Sequence, residues 1–198
     1  MSGPECCSNA PILNPNYGVG HVEKLGGLDT YVTGPSNSNL AILMVSEVFG
    51  TSKLLLSLNE AFEDTKPVIE ALKHKGVLSI GAASFCWGAK VVVELAKSRL
   101  IQAAVLLHPS FITLDDIKGI SIPIAVLVAE IDKYCPPELL KQFEQILTAE
   151  LGDECYVKLF PEVLHGWTIR YNIEDAMAAK AADKSHRILL EWFAKHVN

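Results

Sequence analysis

A thiol at Cys86, a carboxylate at Asp132 and an imidazole at His165 follow one another along this 198-residue chain, each just past a short apolar run. Together they are the groups an acyl-transfer relay requires. The thiolate attacks, the imidazole carries the proton, and the carboxylate orients the ring and steadies its charged form. Cys86 lies in Ser84-Phe85-Cys86-Trp87-Gly88, where an apolar run meets a helical pattern. The small residues two before and two after are what a tight strand–turn–helix needs, so the segment reads as a nucleophile elbow with sulfur in place of oxygen. A helix amino end and a nearby imidazole would both favour the thiolate. The plainer reading is a buried core cysteine, since cysteine is among the most buried residue types.

His165 stands in Phe160-Pro-Glu-Val-Leu-His165-Gly166-Trp167, and the glycine after it allows close approach of the chain. Its plain reading is a surface loop histidine. Asp132 stands in Ala129-Glu130-Ile131-Asp132-Lys133, and Glu130 and Asp153 compete with it for the role of orienting the ring. Glu47, in Met44-Val-Ser-Glu47-Val48-Phe49-Gly50, is either a solvated loop carboxylate or a charge acting on the thiol's proton. His108, in Leu107-His108-Pro109, reads as a packed or rim histidine rather than a catalytic one.

The elements that must hold these groups alternate in type. Strands are expected at Leu28–Val32, Leu40–Val45, Val77–Ala83, Ala103–Leu107, Ile124–Val128 and Tyr156–Phe160. Helical stretches are expected from Ser52 to Lys73, from Gly88 with a face at Ala89, Val92, Val93 and Ala96, from Pro137 to Leu151, and from Ile173 to Val197. Pro67 should split the first of these into two pieces or make the helix restart near Thr65, and Pro137 suits a first turn. The last should bury Ala178, Ala182, Ser185, Leu189 and Trp192. Such alternation predicts an α/β fold with a mostly parallel sheet and flanking helices. Ligands in such sheets sit outside the carboxyl ends of the strands, where Glu47, Cys86, His108, Asp132 and His165 all fall. The order nucleophile, acid, histidine is that of the α/β-hydrolases. Residues 1–20 read as an irregular arm and 21–198 as one domain.

Composition narrows the partners. The net charge of −6 is spread without a basic patch, which argues against nucleic acid or an anionic membrane surface. No apolar run approaches the roughly 20 residues of a membrane span. The first residues lack a basic-then-apolar leader, so a cytosolic protein is the expectation. Five cysteines at irregular spacing (Cys6, Cys7, Cys86, Cys135 and Cys155) do not form a disulfide framework. They also lack the Cys/His spacing of a zinc site, so no metal is expected. A thiol redox role for Cys86 is disfavoured because no resolving cysteine lies near it in sequence.

The segments Ser46-Glu47-Val48-Phe49-Gly50, Ser84-Phe85-Cys86-Trp87-Gly88-Ala89-Lys90, Glu130-Ile131-Asp132 and Leu164-His165-Gly166-Trp167 together resemble the dienelactone hydrolase family, a cysteine-using branch of the α/β-hydrolases. The likeness is greatest to its plant members, some of which are labelled endo-1,3;1,4-β-glucanase, and runs over nearly the whole chain. It implies an α/β-hydrolase fold and a Cys86–His165–Asp132 triad. It further implies a thiol gated by Glu47, an oxyanion site from the amides of Val48 and Trp87, lactone or small-ester substrates, and no cofactor. Trp87 and Trp167 would line the pocket or simply pack. Arg170 would meet a substrate carboxylate, the competing reading being a surface arginine. Two departures stand out: Ser84 replaces a usual glycine, and a strand–helix unit is missing near residues 50–62. That loss predicts an exposed apolar strand edge unless the N-terminal strands shift inward.

Overall fold

The computed structural model describes residues 18–46 and 58–198. The N-terminal arm and the segment carrying Glu47 and Val48 lie outside the described residues. Among the described residues the strands are β1 His21–Leu25, β2 Leu28–Val32, β3 Leu40–Val45, β4 Ser79–Phe85, β5 Ala103–Leu107, β6 Ile124–Ile131 and β7 Cys155–Leu164. The α-helices are α1 Leu58–His74, α2 Ala89–Lys97, α3 Leu114–Ile117, α4 Pro137–Leu151 and α5 Ala176–His196.

Strands β3 to β7 form one parallel sheet in the order β3-β4-β5-β6-β7. Every residue of β4 and β5 is buried, as is β6 up to Ala129. Continuous apolar runs suit strands covered on both faces. On one face Ile80, Ala82, Leu106 and Val126 pack with Ile69 of α1, Val92 and Leu95 of α2, and Phe143 and Leu147 of α4. On the other, Ala83, Val105 and Leu127 pack with Leu189, Trp192 and Phe193 of α5. A side chain at Gly81 would strike the Phe193 ring, so α5 lies directly on β4 there.

The structure departs from the sequence-based expectation in instructive places. Helix α1 runs unbroken through Pro67. Leu25 and Val68 are both buried there, and a side chain at Gly26 would collide with the Pro67 and Val68 backbone. The β1–β2 hairpin therefore braces the helix at its weak point. Strand β1 was not expected, because it is short and largely exposed and so carries no apolar run. Ala178 is half-buried rather than buried, and Phe193 joins the buried face of α5. The hairpin forms a two-stranded sheet of its own, and no described strand pairs with the outer edge of β3. Leu40, Ile42 and Met44 consequently remain 38%, 40% and 53% exposed, the apolar edge expected from the missing unit.

Candidate active site

Strand β4 ends at Phe85 in extended conformation, and Cys86 follows at φ 52° before a 3-10 turn, Cys86–Gly88, leads into α2. Left-handed backbone at a non-glycine residue costs about 1–2 kcal/mol and persists only where its surroundings enforce it. The enforcement is visible. A side chain at Gly88 would lie 2.5 Å from the Val45 carbonyl oxygen, so the start of α2 is wedged against the end of β3. Ser84, where the family resemblance expects glycine, is fully buried in β4, and its hydroxyl makes no hydrogen bond among the described residues.

Cys86 is 2% exposed. Its Sγ lies 3.4 Å from the Ser110 hydroxyl, and the Ser110 amide donates to the Cys86 carbonyl at 3.1 Å. Trp87 is half-buried and packs against the helical core.

His165 begins the turn directly after β7, and Asp132 follows β6. The Asp132 Oδ2 lies 2.6 Å from His165 Nδ1, while Oδ1 accepts from the Tyr134 amide at 2.8 Å. Both side chains are almost wholly buried. Of the competing carboxylates, Glu130 instead accepts from the Glu162 amide at 2.8 Å, and Asp153 is exposed in a turn after α4. His165 Nε2 is buried with no hydrogen-bond partner among the described residues. Tyr134 and His108 meet the ring edge to face at 5.1 and 4.9 Å.

His108 is buried, as expected of a packed histidine, and its Nε2 pairs with the Thr168 hydroxyl at 2.8 Å. Burial, reinforced by the charges of His165 and Arg170, holds it well below the ordinary imidazole range, which favours its neutral form. Cys135 is unsuited to nucleophilic work, because burial and the Asp132 charge push its thiol up to about 12.

Trp167 and Arg170 present little surface, at 4% and 8% exposed. Trp167 packs on Phe160 and His108. Arg170 is not the surface arginine of the competing reading. Its guanidinium lies over Gly166, whose φ of 90° and lack of a side chain make room for it. Among the described residues no group of three or more His, Cys, Asp or Glu side chains is placed to hold a metal.

The strand ends thus bring Asp132 to His165, and set Cys86 and His165 against two residues of one short segment: Ser110 on the sulfur side, His108 on the ring side. Ser110, Tyr134 and Thr168 were not among the residues expected from sequence. The one available signal was that the loop after β5 must lie beside the loop after β4.

Comparison with known proteins bears on the family and the fold. A family model, the dienelactone hydrolase family, matches residues 53–197. The chain is 31% identical to an endo-1,3;1,4-beta-D-glucanase of Zea mays, over 62% of this chain and 52% of that protein, so the match spans about half the maize protein's length. It is 24% identical to the hydrolase pyvD of Aspergillus violaceofuscus, across 98% of this chain and 97% of that one. That alignment occupies 239 positions against 198 residues here, so the fungal protein has stretches without a counterpart in this chain. Among solved structures, Thermogutta terrifontis esterase 2 superposes with a TM-score of 0.68 at 14% identity, covering 89% of this chain and 96% of that one. The fold is that of the α/β-hydrolases.

Proposed function

Since the chain belongs to the dienelactone hydrolase family, we propose that it hydrolyses lactones or small carboxylic esters, with Cys86 as nucleophile, His165 as general base and acid, and Asp132 as the residue that orients His165. The observation that supports this most is the 2.6 Å Asp132–His165 contact at the same end of the sheet as the left-handed turn at Cys86. With Nδ1–H donated to Asp132, the ring's Nε2 is the nitrogen left to accept a proton.

In the proposed reaction His165 Nε2 takes the thiol proton and the sulfur attacks the carbonyl carbon. The carbonyl π pair moves onto oxygen, and the amides of Trp87 and Val48 receive that charge. Collapse expels the alkoxide, which takes the proton from His165. A lactone thereby opens to a tethered thioester. Water then gives a proton to His165 and attacks the thioester, and the sulfur leaves, taking that proton back from His165 to become the thiol. Glu47 gates the thiol's ionisation in this scheme. No cofactor takes part in any step. Arg170 serves a substrate carboxylate and Trp167 its apolar part, each requiring the His165 turn to shift because both are so little exposed.

The 2% exposure of Cys86 also favours a second reading, an α/β-hydrolase-like protein whose relay is sealed from substrate. An activated aryl ester separates the two. Under the first reading the protein turns it over while Cys86→Ala and His165→Ala fall to the uncatalysed background. Cooperative melting with wild-type and Cys86→Ala rates equal would establish the second. A mixed-linkage glucan should stay uncut, because glycoside hydrolysis uses two opposed carboxylates rather than a thiol and an imidazole.

A further inference from the structure

We propose that Ser110 is a positioning residue for the Cys86 sulfur, its hydroxyl donating a hydrogen bond to the thiolate and so holding sulfur in the attacking orientation. The inference rests on Cys86 being the nucleophile, as argued above. The two side-chain atoms are 3.4 Å apart, within the normal range for a sulfur hydrogen bond, and both residues are about 1–2% exposed. While sulfur keeps its proton, either atom can donate. Once it is ionised, only the hydroxyl can. The contact therefore changes from a weak thiol–hydroxyl bond to a charge-assisted one when the thiolate forms, and it favours that form over the thiol.

Ser110 is also held in place independently of its side chain. Its amide donates to the Cys86 carbonyl at 3.1 Å, which ties the loop after β5 to the elbow. A hydroxyl fixed in this way need not be reorganised when charge appears on sulfur, which is the arrangement that makes a polar contact effective in a dry site. Among the described residues the titratable or charged groups at this end of the sheet include the Asp132–His165 pair, His108, Arg170, Glu130, Lys133, Tyr134 and Cys135, while Glu47, assigned above to the thiol's ionisation, lies outside them. A carboxylate would raise the thiol and a cation would lower it, but Ser110 acts without charge, so its contribution persists at every pH where the hydroxyl is intact.

The test is an ultraviolet thiolate titration of Ser110→Ala and of the wild type, each measured against the same protein carrying Cys86→Ala to isolate this sulfur. Loss of one hydrogen bond to a charged group should raise the Cys86 midpoint by about one pH unit. The alkaline-going limb of kcat/KM against pH should move by the same amount. An unchanged midpoint in a cooperatively melting Ser110→Ala overturns the inference. If that variant does not melt cooperatively, Ser110→Thr keeps the hydroxyl and must retain the wild-type midpoint, and a shifted one overturns it equally. A Ser110-dependent titration in a protein without ester hydrolysis would uphold the hydroxyl–thiolate contact and overturn both the proposed function and the attacking role given to that contact.

Discussion

His165 is constrained on one edge by Asp132 and on its faces by Tyr134 and His108, and the tautomer is the part of this arrangement most exposed to a single change. Asp132 uses both oxygens, one toward His165 and the other toward the Tyr134 amide. In Asp132→Asn the carbonyl oxygen would stay with the Tyr134 amide, because that group can only donate. The amide nitrogen would then face Nδ1 and force it to accept, which leaves the proton on Nε2, where the base is needed. Ester turnover should fall by about 10³–10⁴ with little change in melting temperature; a loss under tenfold would show that Asp132 does not set the tautomer. The choice of Asp132 was only half legible in the sequence. Residues 130 and 132 are two apart at one strand end, a spacing that aims both at the same face. A register irregularity between Ala129 and Ile131 separates them, and no composition or periodicity announces it. The Cys86 turn was far more legible, because its small neighbours at 84 and 88 are themselves the requirement.

The elements follow the same logic. Strands β2, β3 and β5 and helix α4 have the limits read from sequence, since apolar runs bounded by glycine, proline or polar turns leave little latitude. The exposed final residues of β6 and the last turns of β7 went unseen because burial, which makes a strand readable, ends before the ladder does. Pro67 failed as a helix breaker for a tertiary reason, the β1–β2 hairpin seated against it. Gly88 is the element-level residue on which the site depends. It has ordinary helical backbone at φ −58°, so it is needed for space and not for conformation. Gly88→Ala would put a carbon 2.5 Å from one backbone oxygen and 3.0 Å from another, neither able to rotate away. Forced backbone shifts of this kind cost about 1–3 kcal/mol. Because they also displace the Trp87 amide, activity should fall further than stability does. Denaturant melts and ester kinetics on one preparation would check both, and a variant with native stability and activity would disprove the close approach.

At the scale of the whole molecule, shortening leaves the central strands intact and takes its toll at the β3 edge, so the buried chemistry and the global fold stand on the same core. That core carries a titratable group, His108, packed among Phe85, His165, Trp167 and Thr168. Burial, with the charges of His165 and Arg170, lowers its folded-state value well below 6.5. His196, packed at a tilt against Trp192, is lowered too, by burial, with Glu154 opposing. A histidine with a depressed native value is protonated first in the unfolded chain. The unfolded state then binds more protons, and stability rises with pH. Full stability is accordingly present above about pH 6.5 and is lost as pH falls below it, before ordinary carboxylates begin to titrate. For His108 the limiting slope is about 1.4 kcal/mol per pH unit. His108→Gln keeps a donor for the Thr168 hydroxyl and carries no titrating group. Its urea midpoint, followed from pH 7.5 to 5, should fall less steeply than that of the wild type, with His196 contributing to the slope that remains. Parallel profiles would mean that His108 takes up its proton as readily folded as unfolded, and that the ring beside His165 does not stay neutral in the core.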